Sequence, residues 1–183
     1  MDLASLHRER DLAATCTACP LCEERTQVVW GSGNERARVM LIGEGPGKNE
    51  DRGGAPFIGA AGRLLDEVLE HAGLVREDLY ITNVVKCRPP ANRTPKDAEV
   101  AVCERWVLAE IEGVDPQVVV TLGNVATHWM LQTGEGITTL RGRVFDVGGR
   151  FVIPTYHPAA AIYDSTKRTP LFEDARRIRG LVS

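Results

Sequence analysis

Residues 37–43, ARVMLIG, run directly into the glycine-rich stretch GEGPGKNED at 43–51, and this junction decides the fold. ARVMLIG is almost continuous in apolar side chains, the pattern of a strand buried on both faces of a parallel sheet. Working outward, LYITNVV at 79–85, QVVVTL at 117–122 and FVIPTY at 151–156 read as three further strands. Between the first two lies GRLLDEVLEHAG, where Ala61, Leu64, Leu65, Val68, Leu69 and Ala72 keep helical spacing and Gly73 supplies a stop. After the second strand, Thr94 reads as an N-cap and Pro95 as the first helical residue, with Ala98, Ala101, Val102, Trp106 and Ala109 continuing one apolar face. A third helix is expected from Gly123-Asn124 to about Leu131, and LFEDARRIRGLV closes the chain as a fourth. Strands alternating with helices predict a three-layer α/β/α domain around a central four-stranded parallel sheet, one domain spanning residues 1–183. Ligands bind such sheets beyond the carboxyl ends of the strands, which directs attention to the loops at Gly43, Lys86, Gly123 and His157.

The composition fits a folded, water-exposed chain. Of 183 residues, 43% are hydrophobic and 26% charged, and no apolar run approaches the roughly 20 residues of a membrane span. The N-terminus MDLASLHRERDLAA is charged and has no apolar centre of a signal peptide. A secreted or membrane protein is not expected. Residues 1–140 hold 14 basic and 21 acidic side chains, whereas residues 141–183 hold 8 basic and 4 acidic. The stretch 86–96 adds Lys86, Arg88, Arg93 and Lys96 with no acid. Such local patches are compatible with a nucleic-acid binder despite a net charge of −3, though charge alone favours a solvated surface.

The loop Gly43-Glu44-Gly45-Pro46-Gly47-Lys48-Asn49-Glu50-Asp51 follows a strand and frees backbone N–H groups for a ligand. It is not a nucleotide phosphate loop: Ile42 stands where the first Gly belongs, and Asn49 where Ser or Thr belongs. The dinucleotide pattern fails at Lys48. Glu44 and Glu50 in one glycine-rich loop favour a site over a plain turn. Five cysteines make the firmer signal. Cys16 and Cys19 form a C-x-x-C corner, Cys87 follows the second strand, and Cys103 lies on the next helix. These four thiols suit tetrahedral zinc or an iron–sulfur cluster, and Cys22 adds a further thiol beside the pair. His157, directly after the fourth strand, is placed either to donate to a developing anion or to sit hydrated in a loop. Asn83 lies inside a strand, where an amide is either bonded for structure or free to read a base edge.

Five stretches, in order, resemble the family 4 uracil-DNA glycosylases: GEGPGKNED at 43–51, APFIGAAGRLL at 55–65, YITNVVKCRPPANRTP at 80–95, VVVTLGNVA at 118–126 and YHPAA at 156–160. Cys16, Cys19, Cys87 and Cys103 match the family's cluster ligands in kind and spacing, and the resemblance covers roughly residues 14–180. It implies a 4Fe–4S cluster on those four cysteines, with the N-terminal segment 1–25 contributing two of them. It implies a pocket in which Phe57 stacks on a flipped uracil, Asn83 bonds its Watson–Crick edge, and His157 faces O2, aided by backbone N–H groups around Gly43 and Gly45. Its partner would be uracil-containing DNA, single- or double-stranded, and the protein a monomer of the prokaryotic cytoplasm. The reaction would hydrolyse the C1′–N1 bond, with Glu44 orienting the water and Glu50 beside the base, where it also excludes the thymine methyl. The segments 86–96 and 141–168 would contact phosphates, and the loop after His157 would push into the duplex.

The chain departs from the family in two places. Cys22 is an additional thiol near the cluster pair, and Ala161, Ile162 and Tyr163 replace the Leu-Leu-Arg often found after the His-Pro pair, which predicts a smaller wedge and one phosphate contact fewer. A covalent uracil-DNA trap of the same fold would need a His in a basic insertion after the second strand, and KCRPPANRT has neither. A non-enzymatic nucleic-acid-binding protein stapled by a metal is the other alternative, and activity on uracil-containing DNA separates the two.

Overall fold

A computed structural model describes residues 2–182; Met1 and Ser183, the ends of the expected domain, lie outside the described residues. Four parallel strands form the centre of the sheet: β2 (Val39–Gly43), β3 (Tyr80–Asn83), β4 (Val118–Leu122) and β6 (Arg150–Thr155). Two short antiparallel strands, β1 (Ser32–Gly33) and β5 (Phe145–Val147), extend it at the edges, giving the order β1-β3-β2-β4-β6-β5. The four-stranded expectation thus describes the core of a six-stranded sheet. The β5–β6 hairpin closes on Gly148-Gly149, both at positive φ, as a two-residue turn matched to strand twist requires.

The alternation of side chains along β2 explains the layering. All five of its residues are buried: Met40 and Ile42 face one core, Val39 and Leu41 the other. The first core is closed by α1 (Leu3–Ala14), α4 (Asp97–Val114) and α5 (Asn124–Leu131). The second is closed by α3 (Ala60–His71), α7 (Pro158–Tyr163) and α8 (Arg168–Val182). The short helices α2 (Lys48–Gly53) and α6 (Ile137–Leu140) complete the set.

Three expectations are corrected. Helix α4 starts at Asp97, two residues later than the Thr94-Pro95 signal. The Glu99 carboxylate reaches back to accept from the Lys96 N–H (2.8 Å) and is gripped by both terminal nitrogens of Arg93 (2.6 and 2.8 Å), which fixes the turn there. The inward face of α4 is also different: Ala98, Ala101 and Val102 are exposed, while Glu99, Cys103, Trp106, Val107, Glu110 and Ile111 are buried. Finally, the segment after His157 is a helical turn, α7, with Pro158 at its first position, as a residue without an N–H permits.

Candidate active site

The carboxyl ends of β2 and β3 and the turn after β6 enclose a cavity of about 450 Å³, lined by Glu44, Gly45, Glu50, Phe57, Asn83 and His157 among others. All three strand-end segments sit at one end of the sheet, so residues as far apart in sequence as Glu44 and Tyr163 meet there through topology.

Gly43 ends β2, where a Cβ would lie 2.4 Å from Asn83 Oδ1 and 2.6 Å from Phe57 Cζ. Only glycine lets these two groups close over the strand end. Gly45 is similarly tight, with a Cβ falling 2.7 Å from a Val85 methyl. Phe57 is buried at φ +55°, a left-handed conformation unusual for a bulky residue. Two contacts hold the turn that carries it. Glu50 Oε1 accepts from the N–H groups of Ile58 (3.0 Å) and Gly59 (2.8 Å), and Arg76 donates to the carbonyls of Pro56 (3.1 Å) and Phe57 (3.2 Å). The Phe57 ring stacks on His157, with centroids 5.5 Å apart and planes 29° from parallel.

His157 caps α7: its Nδ1 accepts from the Ala159 N–H at 3.1 Å. An accepting Nδ1 leaves Nε2 as the N–H of the neutral ring. Burial lowers its pKa to about 4, although the Glu50 carboxylate pulls the other way, so the ring is neutral at pH 7. Burial also lifts the Glu44 carboxyl above the usual range. Asn83 is 2% exposed, and its Oδ1 has no hydrogen-bond partner among the described residues. An orphaned buried oxygen of this kind costs about 1–3 kcal/mol, which a donor on a ligand recovers.

The cysteines form a second locality. Cys16, Cys19, Cys22, Cys87 and Cys103 line one small cavity against Arg25, Val28, Lys86 and Trp106, and none is in a disulfide. Arg25 Nη1 donates to Cys87 Sγ and the Lys86 N–H to Cys103 Sγ, both at 3.3 Å. Burial raises the thiols of Cys19 and Cys87, and pushes Cys103 up to about 12. Among the described residues no three His, Cys, Asp or Glu side chains are arranged to hold a single ion.

The basic segments need correction. Lys86 is 1% exposed and ion-paired with Glu110, so it does not reach a phosphate. Arg93 is occupied by Glu99, and Arg141 by the buried Asp174. The cavity lining also includes Asn92 and Arg93 from the segment after β3, and Ile162 and Tyr163 from α7. Tyr163 is 91% exposed there and Ile162 is exposed too, while Ala161 is buried.

Residues 30–177 of this α/β/α domain match the uracil DNA glycosylase superfamily, to which the chain belongs. Its similarity is high to named type-4 uracil-DNA glycosylases. The Thermotoga maritima protein is 46% identical over 91% of this chain and 89% of its own length. Those of Sulfurisphaera tokodaii and Saccharolobus solfataricus are each 41% identical, over 97% and 94% of this chain and 84% of their own lengths.

Proposed function

We propose that this protein excises uracil from DNA, hydrolysing the N-glycosidic bond to leave an abasic site and free uracil. The observation that carries this is the unpartnered, buried Oδ1 of Asn83 opposite Phe57 and His157 in one cavity. Uracil N3–H is the donor that oxygen lacks. In this reading, Phe57 stacks on the flipped base, and His157 Nε2–H faces O2. Cleavage of C1′–N1 leaves a uracil anion and an oxocarbenium-like sugar. A preorganised neutral donor at O2 stabilises that anion more than it stabilises the bound base, which lowers the barrier. Backbone N–H groups of the 43–47 loop assist.

Glu44 is assigned to the water. It lines the cavity, its side chain makes no hydrogen bond or ion pair among the described residues, and its carboxylate is available to orient a nucleophile toward C1′. Glu50 is assigned a positioning role, because its Oε1 is already committed to Ile58 and Gly59. It thereby fixes Phe57 and the wall beside the base. Tyr163 and Ile162, exposed at the rim, enter the space that the flipped base vacates.

Cys16, Cys19, Cys87 and Cys103 would hold a 4Fe–4S cluster. The donor set fits: four thiols surround a cavity rather than converge on a point, and N–H groups already point at two of the sulfurs. A single tetrahedral zinc would need every sulfur at about 2.3 Å from one ion. When bound, the cluster supplies iron–thiolate bonds that tie the N-terminal segment to the end of β3 and to α4.

The test is to incubate the purified protein with a uracil-containing oligonucleotide and then treat it with alkali. A strand break at the uracil position, with free uracil released, is expected. An intact strand would return the chain to a binding role, and a covalent protein–DNA adduct to a trapping one.

A further inference from the structure

Lys86 and Glu110 form an ion pair that is almost entirely excluded from water, at 1% and 0% exposure. Removing two charges from water is costly, and such a pair is weak grounds for stability by itself. Its hydrogen bonding is complete. The ammonium has three protons, and they go to Glu110 Oε2, Thr82 Oγ1 (2.6 Å) and the Asn83 carbonyl (2.7 Å). The Glu110 carboxylate also accepts from the Gly31 N–H (2.7 Å), Thr82 Oγ1–H (2.7 Å) and the Tyr80 hydroxyl (3.2 Å). Lys86 lies over the Trp30 ring as well, 5.5 Å from its centroid.

The direction of this network matters. Asn83 ends β3, and its side chain has no partner to orient it on the Oδ1 side. Its backbone is pinned on one flank by the β2 ladder at Gly43 and beyond the strand by Lys86 Nζ. The same Lys86 donates its backbone N–H to Cys103 Sγ, and Cys87 follows it in the chain. One residue therefore touches both the backbone carbonyl of Asn83, the residue whose amide lines the cavity, and a thiol of the cysteine group.

We propose that Lys86, held by Glu110, is a positioning residue that fixes Asn83 for base recognition and ties that position to the cysteine cavity. This rests on the assignment of Asn83 to uracil made above. The ion pair holds the Asn83 backbone from which the amide projects, a contact that an apolar pair of equal volume would not supply.

The test uses Lys86→Met/Glu110→Gln, a charge-neutral pair of nearly the same shape. Iron content is measured first, then the inhibition constant of free uracil and the affinity for an abasic-site oligonucleotide. Uracil inhibition should weaken about tenfold, while abasic-site affinity stays within about twofold; general loosening would move both. Asn83→Ala serves as the reference. If Asn83→Ala shifts uracil inhibition and the folded, iron-loaded double variant does not, the clamp is refuted. If Asn83→Ala shifts nothing, the reading of Asn83 itself fails. Should the double variant not fold, Thr82→Val decides on the same ratio, with about threefold weaker uracil inhibition expected and wild-type values refuting the clamp.

Discussion

His157 and Glu44 line one cavity, and a better leaving group separates the two roles proposed for them. His157→Ala removes the donor to the uracil anion and should cost about 2.7–4 kcal/mol, or 10²–10³ in single-turnover rate. Glu44→Gln keeps shape and a hydrogen-bonding oxygen but loses charge. 5-Fluorouracil, whose N1 is more acidic, leaves with less help, so it should partly restore His157→Ala and restore Glu44→Gln less. Equal restoration would contradict the division of roles. The pH profile makes a second check. With the His157 pKa near 4, the ring stays neutral as pH falls through 6.5, so the rate should show no inflection there. An acid limb should come from Glu44, whose carboxyl protonates at higher pH than an exposed one, and Glu44→Gln should abolish it. An inflection near pH 6.5 that vanishes in His157→Ala would mean that the histidine titrates instead.

Helix α7 and the cysteine segments carry the predictions at the scale of elements. Tyr163→Ala should slow excision from duplex DNA by roughly tenfold and leave single-stranded substrate nearly unchanged, since a stacked base is worth about 1–3 kcal/mol. Equal loss on both substrates would place Tyr163 outside duplex opening. Cys87→Ser and Cys103→Ser should lower iron content and melting temperature together, because metal binding is linked to folding. Cys22→Ser should keep its iron even though Cys22 lines the same cavity. Iron loss in that variant would reassign the ligands. Legibility in the sequence also divides by element. The parallel strands and α3 followed from apolar period, because their buried faces are apolar. The face of α4 did not, because what it buries is polar: Glu99 answers Arg93, and Glu110 answers Lys86. A pattern of apolar letters cannot register a carboxylate buried against a cation, whether the partner lies 6 residues away, as Arg93 does, or 24, as Lys86 does. The β5–β6 hairpin did have a signal, Gly148-Gly149 between FDV and RFV, which is the two-residue turn motif.

At the scale of the whole molecule, the sheet brings the ends of three strands to one rim and the cysteines to the flank of β3 and α4. The cavity residues Glu44, Glu50, Phe57, Asn83 and His157 were legible as a candidate set only through the ordered resemblance, since none is diagnostic alone. What stayed hidden was occupancy: Glu50 spends an oxygen on the Phe57 turn, and Lys86 turns inward instead of toward DNA. Both depend on three-dimensional partners. The central claim, that Asn83 reads uracil in this cavity, is tested most directly by single-turnover excision from a uracil-containing oligonucleotide with wild-type and iron-loaded Asn83→Ala protein. The wild type should cleave, and the variant should be slower by about tenfold to a hundredfold, as loss of one or two hydrogen bonds of about 1–1.5 kcal/mol each requires. Equal rates in the two proteins would contradict it.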